Sequence, residues 1–175
     1  MSALIDDRSQ PTLREHIRGL LSSCTSADIA VGHIRPAAID LTDDETRGIH
    51  RARILVARLE ARALSEFAGT AAGSPDPLLR FLESGRVEVR SAGIGAWAPD
   101  FSIYRGGAAG DACLIGAHWF REPVVSAGPS LTALLTEPDV VARALERFEE
   151  LWRRSHDVLE PVIAAVSRRQ SFHAT

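Results

Sequence analysis

A chain of 175 residues with 45% apolar and 25% charged side chains carries enough apolar material for one soluble domain with a full core. A net charge of −3 gives no overall attraction to nucleic acid or an anionic membrane, and no apolar run approaches the roughly 20 residues that cross a bilayer. All 20 basic residues are arginine, so any mechanism that needs a lysine is excluded for this chain acting alone.

The segment Met1 to Asp7 has neither a basic stretch nor a long apolar one, so a cytoplasmic protein is expected, and residues 1–10 read as a flexible tail. Pro11 suits a helix start, and Leu13, Ile17, Leu20 and Leu21 follow at helical spacing, reaching about Cys24. Asp28 to Ile34 reads as a strand that Pro36 ends. Thr42-Asp43-Asp44-Glu45 has the capping-box pattern and opens a short helix. The apolar run Arg53 to Leu59 suits a buried parallel strand. A helix is expected over Ala61 to Ala68. Another starts at Asp76-Pro77, buries Leu78, Phe81 and Leu82, and stops at Gly85.

Period-two patterning then predicts strands over Val87 to Ser91, Phe101 to Arg105 and Ala112 to Gly116, the last two joined by a Gly-rich hairpin turn at 106–111. Ser130 to Thr136 is ambiguous in periodicity and reads best as a strand, because Glu137-Pro138-Asp139 looks like a helix start. The stripe Val141, Leu145, Phe148, Leu151 and Trp152 predicts a long amphipathic helix, and a last helix runs from about Asp157 to Arg168 before a frayed tail at 169–175. Strands and helices alternate throughout, so residues 11–168 form a single α/β sandwich with a mixed sheet. Cys24 and Cys113 sit in apolar settings and read as reduced, buried thiols.

The strand–hairpin–strand unit ending at Gly116-Ala117-His118-Trp119, with the helix that closes on Phe148 and Trp152, resembles one half of a phospholipase D-like domain. With the upstream strands the resemblance covers about residues 12 to 155, and it implies an α/β/α sandwich. Active members of that superfamily carry His-x-Lys-x-x-x-x-Asp on the first hairpin strand and Gly-Ser-x-Asn at the end of the second. A histidine attacks phosphorus, and a lysine neutralises the phosphoryl oxygens. Here Asp100-Phe101-Ser102 stands where His-x-Lys belongs, and Gly116-Ala117-His118-Trp119 keeps only the glycine. An aspartate repels a phosphodiester and a serine supplies no charge, so the family reaction is expected to be lost. The sequence around Ser102 to Arg105 also resembles degenerate domains of this kind in bacterial regulatory proteins.

The resemblance implies a catalytically inactive binding or regulatory protein that uses the former active-site cleft or a dimer surface. Its partner is then a second copy or a related chain, because single halves of the superfamily pair across a two-fold axis. The alternative is an altered phosphodiesterase or nuclease in which His118, beside Asp100 or Asp111, works with arginines instead of lysine. For His118 a structural hydrogen bond to backbone is the plainer reading, as it is for His33. His50, between Arg47 and Arg51, reads as part of a solvated basic face. Arg35, Arg105 and Arg121 each follow a strand end and can converge on a phosphate-bearing ligand or nucleic acid, with Trp119 stacking beside them. Trp97, Trp119 and Phe120 otherwise fill core. No His, Cys or acidic residues show metal-ligand spacing, and neither metal nor cofactor is expected.

Overall fold

The structure is a computed structural model and describes residues 2–5, 11–32, 42–57, 77–93, 100–108, 110–116 and 131–171. In chain order the elements are β1 (Ala3–Ile5), α1 (Leu13–Ser23), β2 (Ser26–Val31), α2 (Asp43–Thr46), β3 (Arg51–Val56), α3 (Pro77–Glu83), β4 (Val87–Ser91), β5 (Phe101–Arg105), β6 (Ala112–Ile115), β7 (Thr132–Leu135), α4 (Pro138–Arg153), β8 (His156–Asp157) and α5 (Leu159–Ser171). The strands make one eight-stranded sheet in the order β1-β7-β6-β5-β2-β3-β4-β8. β2, β3 and β4 are parallel neighbours and the remaining pairings are antiparallel, so the sheet is mixed.

Local chemistry explains where the helices begin. The Thr12 side chain accepts from the Glu15 N–H while Glu15 reaches back to the Thr12 N–H, and Thr42 and Glu45 do the same at α2. Each box satisfies backbone donors that a helix start otherwise leaves open. Pro138 opens α4, where its missing N–H costs no bond.

Strand alternation then divides the core into two layers. Ala27, Ile29, Val31, Ile54, Val56, Val89, Tyr104 and Leu114 face one side, where Leu21 of α1, Leu78, Phe81 and Leu82 of α3 and Val162 of α5 cover them. Ala30, Leu55, Phe101, Ile103 and Cys113 face the other side, under Val141, Phe148, Leu151 and Trp152 of α4. Phe148 stacks on Trp152 with centroids 5.5 Å apart and meets Phe101 edge-on at 6.4 Å. Burial of each large apolar side chain contributes about 1.5–3 kcal/mol, enough for a few of them to hold α4 on the sheet. Helices on both faces of a mixed sheet give the expected α/β/α sandwich. No helix among the described residues is long and apolar enough to cross a membrane.

Several boundaries differ from the sequence expectation. Ala3–Ile5 is not a loose tail but an edge strand on β7, in which Ile5 is buried opposite Thr132. β2 starts at Ser26 and stops at Val31, and β3 starts at Arg51 and stops at Val56, each a little ahead of its apolar pattern. Residues 156–157 make a short strand on β4 before the last helix, which continues to Ser171. The helix expected over Ala61 to Ala68 lies outside the described residues.

Candidate functional site

β5 runs antiparallel to both β2 and β6, so its first residue sits beside the last residues of those strands. Asp100, just before β5, holds this end of the sheet together. Its Oδ1 accepts the Gly32 N–H at 2.7 Å, and its carbonyl accepts the Gly116 N–H at 2.7 Å. The exits of β2 and β6 are thereby tied to one residue. Gly116 is required at its place: φ is 86°, and a Cβ there would stand 2.9 Å from the Leu131 carbonyl oxygen.

Ser102 follows on β5, paired with Ile29 of β2 and Leu114 of β6, and is 1% exposed. Its Oγ is buried and makes no hydrogen bond among the described residues, and the same holds for Thr132 Oγ1 on β7. Chemically this pair of positions is poor in catalytic potential. Asp100 is an acceptor already engaged by backbone, and no described base takes the Ser102 proton, without which a hydroxyl is a weak nucleophile. His118, Trp119, Arg35 and Arg121 lie outside the described residues, as do His33, Trp97 and Phe120. Among the described residues no three His, Cys, Asp or Glu side chains gather as a metal ion would need.

Arg105 ends β5 and therefore lies at the opposite end of the sheet from Asp100. Its Nη2 donates to Asp28 Oδ2 at 2.8 Å. Asp28 Oδ1 in turn accepts from Arg53 Nε at 2.5 Å, and Arg53 Nη2 pairs with Glu149 Oε1 of α4 at 2.7 Å. The Arg53 guanidinium also lies over Phe148, 4.8 Å from the ring centroid, and over Trp152 at 5.3 Å. Burial opposes the charge on Arg53, but the bonds to Asp28 and Glu149 outweigh it and hold the guanidinium more firmly protonated than usual. The Arg53 bond in turn keeps the Glu149 carboxyl below its ordinary range.

This alternating chain of charges, Arg105–Asp28–Arg53–Glu149, was missed by pattern reading. Its one signal is a charge inside each of two apolar parallel runs, Asp28 in 26–31 and Arg53 in 51–56, and the register sets those two residues side by side. Of the other candidates, Asp111 is exposed at the hairpin turn, where it accepts the Gly106 N–H at 3.0 Å. His50 is exposed, and its backbone N–H bonds the Thr25 carbonyl at 2.8 Å.

No protein-family model matches the chain, and no curated protein sequence does. Solved structures do match. The archaeal chromatin protein TrmBL2 aligns over 90% of this chain at 15% identity and a TM-score of 0.56, and this chain spans 53% of its length. NucT from Helicobacter pylori aligns over 90% of this chain and 99% of its own at 10% identity and a TM-score of 0.56. Nuc from Salmonella typhimurium, a phospholipase D family member, aligns over 90% and 97% at 12% identity and the same TM-score. At such identities the likeness is one of fold, and the fold is phospholipase D-like.

Proposed function

We propose that this chain is a catalytically inactive, phospholipase D-like binding or regulatory protein that works as a homodimer or docks on a related chain. The observation that carries this reading is the bonding of Asp100. Where the superfamily presents a histidine nucleophile, this chain presents a carboxylate committed to the Gly32 N–H. Where it presents a lysine, this chain has the buried hydroxyl of Ser102. An anion replaces the group that attacks phosphorus, and a neutral group replaces the one that neutralises it, so the two changes reinforce each other against phosphoryl transfer.

A phosphate-bearing ligand, nucleic acid included, is the class we favour. Support comes from the fold and from one similar structure, described as a chromatin protein with a novel mode of DNA binding. The net charge of −3 means that such binding rests on local arginines and not on overall attraction.

The test joins assembly to activity. Light scattering fixes the oligomeric state, turnover of bis(p-nitrophenyl) phosphate and of short DNA is measured for wild type and His118→Ala, and anisotropy follows DNA binding. We expect a dimer or a partner complex, no turnover by either protein, and ligand binding without cleavage. Turnover that His118→Ala abolishes, with assembly unchanged, overturns the proposal in favour of an altered phosphodiesterase.

A further inference from the structure

On the sheet face that α4 covers, the register builds two rows of side chains across β3, β2 and β5. Arg53, Asp28 and Ile103 make the inner row. Arg51, Ser26 and Arg105 make the outer row, which closes the sheet at the end opposite Asp100. Arg51 and Arg105 therefore flank Ser26 from both sides, their Cα atoms about 10 Å apart, twice the spacing between strands. That gap admits one tetrahedral anion between two guanidinium groups, with a hydroxyl on its floor.

The outer row is accessible where the inner one is not. The side chains of Arg51 and Arg105 are 55% and 30% exposed, against 4% for Arg53. Arg105 spends Nη2 on Asp28, while its Nε is buried with no hydrogen bond among the described residues. An unpaired guanidinium N–H is a donor that can make a charge-assisted bond to an oxyanion. Among the described residues Arg51 is tied to Glu88 alone, at 3.1 Å in an exposed pair of little strength.

The charge that sits over this arginine group is Glu149. Its carboxylate bonds Arg53 and is 43% exposed, and both Arg51 and Arg105 act on it electrostatically. An open groove along α4, lined by Ala142, Leu145, Glu146, Glu149 and Arg153, leads to it from solvent. Asp28, 2% exposed, stays locked between Arg53 and Arg105 whatever Glu149 does.

The geometry points to an oxyanion site formed by Arg51, Ser26 and Arg105, with Arg53 behind them, at which a phosphate group competes with the tethered carboxylate of Glu149. In the structure Glu149 reaches this group of arginines from α4 through its bond to Arg53. A phosphate takes up the unpaired Nε–H of Arg105 and the Ser26 hydroxyl, and Glu149 swings towards the groove. The exchange trades one half-exposed ion pair for a doubly charged anion among three guanidinium groups, so occupancy loosens the C-terminal part of α4. The site is separate from the Asp100 end of the sheet, so its failure leaves the proposed function standing.

The test is thermal unfolding in inorganic phosphate against chloride at matched ionic strength, with the phosphate dissociation constant taken by calorimetry. Phenyl phosphate is run in parallel. We expect a phosphate-specific rise in melting temperature in wild type and several-fold tighter binding in Glu149→Gln, where the competing charge is gone. Arg105→Gln should weaken binding about tenfold or more, as loss of a charge-assisted bond requires. Ser26→Ala should weaken it less. Tighter binding of phenyl phosphate assigns the site to ligand-borne phosphate, and equal binding assigns it to the free anion. Absence of any phosphate-specific effect in both wild type and Glu149→Gln overturns the inference. A shift that Arg105→Gln leaves intact does so too, because the anion then binds elsewhere.

Discussion

Arg53 of β3 and Asp28 of β2 face each other across a parallel pairing, joined at 2.5 Å with their side chains 4% and 2% exposed. A charge pair this deep makes a weak contribution to net stability, since desolvation consumes much of its attraction. Removing one member is a different matter, because the other is then stranded.

Arg53→Met should therefore destabilise the protein by about 3–5 kcal/mol. It leaves Asp28 with Arg105 alone and Glu149 without its partner. The double variant Asp28→Leu with Arg53→Met, which removes both inner charges, should recover much of that loss. Urea denaturation of the two variants checks it. A double variant no more stable than the single one would show that the pair contributes more than its own repair.

Glu149 gives this network a pH dependence of definite sign. Its folded carboxyl is held below the ordinary value of 4.5, first by the Arg53 bond and then by the charges of Arg53, Arg51 and Arg105. A depressed carboxyl contributes stability that is fully present above the unfolded value and is lost as pH falls through the folded one. Between pH 7 and 5 this contribution should be constant, and below about 4.5 it should fade. Glu149→Gln should start slightly less stable at pH 7 and lose less on going to pH 3. The measurement is the urea midpoint of both proteins across that range. Glu15, Glu137 and Glu150 are depressed as well, so the variant retains a residual acid slope.

Two glycines should respond to alanine with opposite signs. Gly116 combines φ of 86° with a carbonyl oxygen 2.9 Å from where the Cβ would stand, so Gly116→Ala should cost about 1–3 kcal/mol. Gly19 lies inside α1 with nothing within 4 Å of its Cβ position. Gly19→Ala should stabilise by about 0.4–1 kcal/mol through the unfolded chain. Thermal melts of the two variants test both at once.

These cases show what was legible in the sequence and what was not. The capping box at Thr42, the stripe ending at Trp152 and the hairpin around Gly106 are encoded within a few residues, and each was readable; the box at Thr12 has the same local pattern and was passed over for Pro11. β1 was not, because three residues carry no period and their pairing with β7 joins chain ends far apart. Asp28 and Arg53 read as ordinary strand charges until the parallel register set them together under α4. The placing of Asp100 and Ser102 where His-x-Lys belongs came from the resemblance, which cannot say that the carboxylate is bound by Gly32 or that the hydroxyl is buried. Arg105 ends β5, as the strand pattern predicts. The antiparallel direction of β5 puts that end opposite Asp100, a fact of topology and not of composition.

The thiols supply a probe of global opening. Burial pushes Cys24 up to about 11 and Cys113 up to about 12, and both are free cysteines in the core. Thiolate is the reactive form, so neither should react with a disulfide reagent at neutral pH in the folded protein. Both should react promptly in denaturant. Fast labelling of one thiol under native conditions would place it in a segment that opens locally.

Ser102 decides whether the Asp100 end of the sheet keeps a polar function of its own. Its hydroxyl is buried without a hydrogen bond among the described residues, and an unpaired buried hydroxyl costs desolvation that nothing returns. If the group is a relic, Ser102→Ala relieves that cost and the protein should be as stable as wild type or more so, with ligand binding unchanged. A lysine at the same place should destabilise by several kcal/mol. Its ammonium would lie between Ile29 and Leu114 in the core. Denaturation and DNA anisotropy on the alanine variant separate the cases. A loss of binding without a loss of stability would mean that the Ser102 hydroxyl faces the ligand after all, and that this end of the sheet is in use.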